Sequence, residues 1–304
     1  MAVRPRFVIF SDLDGCLLDR ERYEFEAARP ALDLLKRERV PLVLCSSKTQ
    51  AEVEYYREIF DLPDPFIVEN GGALLIPKDY FPFLHAFTRA TGQYRVVEFG
   101  VSYTKLTASL RELQLVTGSR LRGFAEMSVK ELAGLTGLPL EGARRAKARR
   151  YDEPFVADLT AEEAERLDFE VRRRGLTLTH GGSFYHLAGG NTKGFAVDFL
   201  TCLYRSRSPE LTTVGLGDGA NDLSMLQRMD LPVVVPREPS LVDPAFAGRP
   251  WTVAPAPGPA GWAAAVLALL TGEWEALGVS PWRQHVDPTK RPDERGSSPG
   301  RIDG

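Results

Sequence analysis

Strand and helix signals alternate over the first seventy residues and again from Asn191 onward, and this rhythm limits the fold more than any other feature of the chain. Arg6–Phe10 and Val40–Leu44 are short apolar runs rich in β-branched and aromatic residues. Between them Ala28, Ala31, Leu32 and Leu35 recur at helical spacing, with Pro30 tolerable only near a helix start. A second helix carries Val53, Tyr56, Ile59 and Phe60 on one face, and Phe66–Val68 reads as a third strand. The rhythm resumes with a helix over Lys193–Tyr204, a strand at Thr212–Gly215, a helix from Asp222 and a strand at Leu231–Val235. Strands alternating with helices imply βαβ units and a parallel sheet.

The middle of the chain breaks that pattern. Tyr94–Phe99 reads as a strand, a mixed stretch with helical character runs to about residue 174, and Leu176–Leu187 reads as a hairpin turning at Gly181-Gly182. The simplest architecture is α/β: a doubly wound, mostly parallel, Rossmann-like core built from residues 1–82 and 190–275. An inserted α+β cap over 83–189 interrupts it, and a tail over 276–304, rich in Pro, Gly and charge, reads as flexible. At 304 residues, 43% hydrophobic and 26% charged, the chain can bury a sizeable core. A net charge of −3 argues against a nucleic-acid partner, and no apolar run approaches the roughly 20 residues that span a bilayer. The apolar N-terminal stretch ends in carboxylates without a small-residue cleavage site, so it reads as a core strand and not a signal peptide. Three scattered cysteines fit a reducing interior, and cytoplasm is the default compartment.

Chemistry-bearing residues cluster directly after the strands. Asp12 and Asp14 follow the first strand and precede Gly15. In an α/β sheet ligands bind at the carboxyl ends of the strands, and carboxylates at i and i+2 can share a hard cation or divide into nucleophile and acid. Alone, such a string is equally well a turn. Ser46, Ser47, Lys48 and Thr49 offer hydroxyl and ammonium donors where a helix begins, a suitable place for phosphate, although Ser47 or Thr49 can also cap that helix. Lys193 opens another helix, and Gly215-Leu-Gly-Asp-Gly-Ala-Asn-Asp222 places Asp218 and Asp222 after a strand. Each signal is weak alone; their order is not.

In that order the four segments resemble the motifs of the haloacid-dehalogenase superfamily phosphatases, and the insertion resembles their subgroup with a large α+β cap. Ser46-Ser-Lys-Thr49, Glu69-Asn-Gly-Gly72, the run Arg144 to Glu153 and Thr179-His-Gly-Gly-Ser-Phe-Tyr-His186 further resemble the mannosyl-3-phosphoglycerate phosphatases, from about residue 7 to 270. The resemblance implies Asp12 as nucleophile and Asp14 as acid and base. It implies Mg²⁺ on the Asp12 carboxylate, the Asp14 carbonyl and Asp218, with Asn221 and Asp222 behind them, and Ser46 and Lys193 on the phosphoryl oxygens. Glu69, Asn70, Gly71 and Gly72, with Ser47 and Lys48, would meet a small phosphorylated sugar. Arg145 and Arg149, sharing a helix face, could meet a glycerate carboxylate, though the run also reads as a solvated basic face. His180, Gly181, Gly182 and Ser183 would complete the cap's contacts; His180 and His186 lack the companions of a zinc set.

Four positions depart from that pattern. Cys16 and Ser46 stand where threonine is common, Gly219 where serine is frequent, and Ser183 where a basic residue is expected. A phosphatase of sucrose phosphate, glucosyl-3-phosphoglycerate or another sugar phosphate would keep all this chemistry, and a phosphomutase would share the nucleophile. A glycosyltransferase using Asp-x-Asp would leave Lys193 and Asp218 without a role, and an inactive binding protein would be expected to have lost one of these residues.

Overall fold

The computed structural model describes residues 7–181, 184–239 and 241–273. The chain opens with β1 (Phe7–Ser11), α1 (Arg29–Glu38), β2 (Leu42–Cys45), α2 (Gln50–Phe60) and β3 (Phe66–Val68). Three strands follow without a helix: β4 (Ala73–Pro77), β5 (Arg89–Ala90) and β6 (Tyr94–Glu98). The inserted region comprises α3 (Tyr103–Thr117), β7 (Arg122–Gly123), α4 (Val129–Thr136), α5 (Leu140–Ala146), β8 (Asp152–Val156), α6 (Ala161–Arg173), β9 (Thr177–Gly181) and β10 (Phe184–Ala188). The chain then returns through α7 (Lys193–Arg207), β11 (Thr212–Gly217), α8 (Leu223–Leu226), β12 (Leu231–Val234), β13 (Thr252–Val253) and α9 (Gly258–Thr271).

Among the described residues the large sheet runs β13-β12-β11-β1-β2-β3-β4-β6-β5. The pairs from β13 to β3 are parallel and those from β3 to β5 antiparallel. Side chains alternate across it with period two, as the pleat requires. Ile9, Leu42, Leu44 and Phe66 face α1, α2 and α9 through Leu32, Val53 and Trp262. Val8, Phe10, Val43 and Ile67 face α7 and α8 through Val197, Leu200 and Met225. Both faces are covered, so the central strands are apolar throughout, and the doubly wound α/β core expected from the sequence is present.

Helix starts follow local chemistry. Thr49 caps α2 in a reciprocal box with Glu52, and Pro30 sits in the first turn of α1, where its missing N–H costs nothing. The second sheet, β7-β8-β10-β9, is antiparallel, with α3 and α6 burying Leu106, Leu110, Leu167 and Val171 against Phe155 and Leu187. The insertion was expected to start at residue 83, but β5 and β6 extend the core sheet through Arg89–Val96 pairing, and the cap's own elements begin at Tyr103. An antiparallel extension has no crossover helix, which is why the alternation signal faded early. The expected helix from Asp222 is a single turn, Leu223–Leu226. Gly182, Ser183 and the stretch 276–304 lie outside the described residues. Among the described residues no helix is long and apolar enough to cross a membrane.

Trp262 joins α9 to the end of β1: fully buried, it donates from Nε1 to Ser11 Oγ at 2.9 Å, and that hydroxyl donates to the Asp12 carbonyl at 2.7 Å. Trp262→Ala should cost about 3–5 kcal/mol in urea unfolding, the range for a deleted core aromatic. A loss under about 1 kcal/mol would show that this side chain does not anchor the helix.

Candidate active site

β1 and β11 are adjacent strands, with Ser11 opposite Leu216, and the chain departs from this pair in opposite directions along the sheet. Crevices form at such switch points, beyond the carboxyl ends of the strands. Asp12 leaves β1 there and Asp218 leaves β11. Gly15, at φ +80°, lets the backbone pass so close that an added Cβ would lie 2.7 Å from Asp218 Oδ2. Ser46 leaves β2 at the same edge, fully buried, its amide donating to the Ile67 carbonyl at 3.0 Å.

Lys193 is the electrostatic centre. It rises from the first residue of α7 and donates to Asp12 Oδ1 and to Asp222 Oδ1, each at 2.6 Å. Burial alone would lower its pKa, but the Asp12 and Asp222 carboxylates outweigh that and hold the ammonium above its ordinary value. Asp222 accepts with its other oxygen from the amides of Asp218 and Gly219, at 3.0 and 3.1 Å, and so fixes the loop that carries Asp218. Burial pushes the Asp12 carboxyl well up, the Asp222 carboxylate adds to this and Lys193 opposes it. Asp218 is pushed up to about 6 by burial and by Asp222. The crevice therefore holds more buried negative charge than one ammonium neutralises, a surplus that a cation would relieve.

Donor atoms of Asp12, Cys16 and Asp218 lie within 4.8 Å of one another. Burial and the nearby Asp218 carboxylate push the Cys16 thiol well up, so it remains protonated and packs in the core. What is left is an oxygen set, which fits a hard divalent cation. Two arginines not singled out from the sequence meet the same carboxylate: Arg20 Nη1 lies 3.4 Å and Arg237 Nε 3.3 Å from Asp218 Oδ2. The available signal was Gly219, since an added Cβ there would lie 2.8 Å from Arg237 Nη2.

The segment after β3 has a different role from the one its hydrogen-bonding side chains suggest. Glu69, Asn70 and Gly71 all lie in the left-handed region, at φ 48°, 53° and 87°. The Glu69 carboxylate, 1% exposed, accepts the amide of Arg150 at 3.0 and 3.1 Å and that of Tyr151 at 2.8 Å. It bolts the core to the strand entering the cap, and burial pushes its pKa up to about 7. Gly71 and Gly72 are required by packing: added Cβ atoms would lie 2.1 Å from the Thr192 carbonyl and 2.4 Å from Tyr151 Cβ. Asn70 Oδ1 accepts from Asn221 at 3.4 Å.

Arg145 and Arg149 do not share a helix face, because α5 stops at Ala146 and the chain turns beyond it, Ala148 donating to the Arg145 carbonyl and Arg149 to that of Lys147. Arg145 places its guanidinium 4.0 Å from the Tyr55 ring centre, and its carbonyl accepts from Thr49 Oγ1 at 2.8 Å. Arg149 is buried, donating to Asp152 Oδ2 and to the Ser47 carbonyl at 3.0 Å each. Asp152 also meets His186 Nδ1 at 2.9 Å; burial raises its pKa, but His186 and Arg149 bring it below the usual range. His180 packs against Tyr185, ring centres 4.4 Å apart, beside Gly181 at the end of β9.

Comparison with known proteins gives the family and the fold. Residues 9–89 match the family described as haloacid dehalogenase-like hydrolase. A glucosyl-3-phosphoglycerate/mannosyl-3-phosphoglycerate phosphatase of Methanococcoides burtonii is 40% identical over 87% of this chain and 97% of that protein. A mannosyl-3-phosphoglycerate phosphatase of Pyrococcus furiosus is 36% identical over 75% of this chain and 90% of that one. Among solved structures, a Thermoplasma acidophilum protein superposes with TM-score 0.61 at 19% identity, covering 88% of this chain and 99% of that one. A HAD subclass IIB sugar phosphatase superposes equally well, TM-score 0.61 at 15% identity, covering 89% and 99%. These two show the fold.

Arg149→Met separates a brace from a ligand contact. Removing the guanidinium leaves a carboxylate that is 2% exposed with His186 as its remaining partner, so stability should fall by about 1.5–3 kcal/mol in denaturant unfolding. Unchanged stability would instead leave the side chain free for substrate.

Proposed function

The chain belongs to the haloacid dehalogenase-like hydrolases and is a phosphoric monoester hydrolase, and on that premise we propose that it dephosphorylates mannosyl-3-phosphoglycerate through an aspartyl phosphate on Asp12. The observation that carries the mechanism is the pairing of Asp12 Oδ1 with Lys193 at 2.6 Å. One oxygen is neutralised and oriented, and the other is left for phosphorus. Attack forms the Asp12–phosphorus bond and breaks the bond to the glycerate oxygen, which leaves with a proton from Asp14. Asp14 then takes a proton from water as that water attacks phosphorus, which regenerates Asp12 and releases phosphate. Ser46 and Lys193 offer donors to the phosphoryl oxygens as charge develops on them. The Asp12 and Asp218 carboxylates and the Asp14 carbonyl would hold Mg²⁺, with Asn221 and Asp222 behind them; when bound, it supplies positive charge that eases the approach of an anionic nucleophile to a dianionic phosphate.

Substrate identity rests on the relatives. The Pyrococcus protein carries the mannosyl name alone, whereas the Methanococcoides protein carries both sugars, so glucosyl-3-phosphoglycerate is the second reading.

Asp12→Asn preserves shape and should abolish turnover while leaving the thermal midpoint nearly unchanged; residual activity above a small fraction would remove Asp12 as nucleophile. Chelation of divalent ions should silence the wild type, and added Mg²⁺ should restore it. The comparison that tests the substrate is kcat/KM on mannosyl-3-phosphoglycerate, glucosyl-3-phosphoglycerate, sucrose phosphate and hexose phosphates. A flat profile would refute the glycerate reading.

A further inference from the structure

Lys48 was expected to contact substrate, and the structure spends its ammonium elsewhere. Its side chain is 9% exposed, and Nζ lies 3.0 Å from Asp14 Oδ2 and 3.9 Å from Glu52 Oε1. The Tyr23 and Tyr56 rings flank it, their centres 4.7 and 5.9 Å from Nζ. Glu52 is itself immobilised, because its other oxygen accepts the Thr49 amide at 2.9 Å in the capping box of α2. Burial opposes the charged form of Lys48, but Asp14 and Glu52 prevail and hold it firmly protonated. The two oxygens of Asp14 are therefore unlike. Oδ2 is engaged, whereas Oδ1 is buried and has no hydrogen-bond partner. A buried acceptor without a partner is costly, and at a reaction centre it marks a place completed by a bound group.

We propose that Lys48 is the positioning residue for Asp14: it clamps Oδ2 so that Oδ1 is the oxygen that passes the proton to the leaving group and later takes one from water. This rests on the proposed phosphatase reading and adds the residue that aims its acid and base. A swinging carboxylate would present either oxygen in several orientations, and fixing one of them removes that freedom before the reaction begins. Lys48 acts through Asp14 and touches no substrate atom, so in the first step its loss must follow the need for a proton at the leaving oxygen.

The test compares leaving groups. A sugar or glycerate oxygen needs protonation to depart, whereas p-nitrophenolate does not. Lys48→Met should lower kcat for the alkyl phosphate by about 10²-fold, the worth of a general acid, with KM little changed. The burst of p-nitrophenolate from p-nitrophenyl phosphate, which reports formation of the aspartyl phosphate alone, should fall far less, and Lys48→Arg should recover much of the alkyl activity. In an Asp14→Ala background Lys48→Met should add almost nothing, because residues acting as one unit are not additive. Equal loss of the alkyl-phosphate rate and of the p-nitrophenolate burst, or full additivity with Asp14→Ala, would reduce Lys48 to a packing role. A raised KM with kcat intact would make it a substrate ligand. Should Lys48→Met fail to fold, Lys48→Gln carries the same comparison with a polar side chain of similar reach. If the wild type cleaves p-nitrophenyl phosphate but no sugar phosphoglycerate, it is the substrate reading that fails; the lysine is then tested on whichever alkyl phosphate the wild type turns over.

Discussion

One buried ammonium holds the catalytic crevice together. Lys193 is fully enclosed, touches two carboxylates at 2.6 Å, and stands on the first turn of α7, the helix by which the chain re-enters the core after the cap. Carboxylates this close would repel one another in a medium of low dielectric, and neither β1 nor β11 could then end as it does. The lysine makes the crowding tolerable and leaves a residual negative surplus. Arg20 and Arg237, both more exposed than the lysine, meet the third carboxylate, Asp218, from the solvent side.

The cap is seated by backbone contacts more than by its apolar faces. Glu69 reaches the Arg150 and Tyr151 amides, Arg149 reaches the Ser47 carbonyl, and Thr49 reaches the Arg145 carbonyl. The last two core residues flank Lys48, so the seat of the cap and the Lys48–Asp14 ion pair share the segment that leads into α2. The cap's main-chain groups at Arg145, Arg150 and Tyr151 keep these contacts whatever side chains stand there, whereas the contact to Ser47 depends on Arg149 itself.

Much of the core was legible because its chemistry follows immediately on apolar strands: Asp12 after β1, Ser46 after β2 and Asp218 after β11 each stand one residue beyond a β-branched or leucine-rich run. The antiparallel extension β4-β6-β5 was not, since hairpin-linked strands carry no intervening helix to announce them. Roles set by distant partners were equally hidden. Nothing local to Glu69 tells that its carboxylate will meet amides 81 and 82 positions away, and the i, i+4 spacing of Arg145 and Arg149 is misleading once the helix ends between them. Gly219 read as a departure from the usual motif, and an added Cβ there would meet Arg237 Nη2 at 2.8 Å and Asn221 Oδ1 at 2.9 Å.

The left-handed turn at Glu69, Asn70 and Gly71 bears on how the chain is assembled. Two non-glycine residues in that region cost on the order of 1–3 kcal/mol each, and the contacts that offset this come from Arg150, Tyr151 and Asn191. The central strand β1 likewise waits for β11, some two hundred residues downstream. A ribosome that has released only the first three strands has therefore made a segment with an unpaired inner edge and a turn it cannot yet hold. Pairings of such long sequence separation close slowly, and until β11 arrives the inner edge of β1 stays open to other strands, the kind of edge through which incomplete chains aggregate.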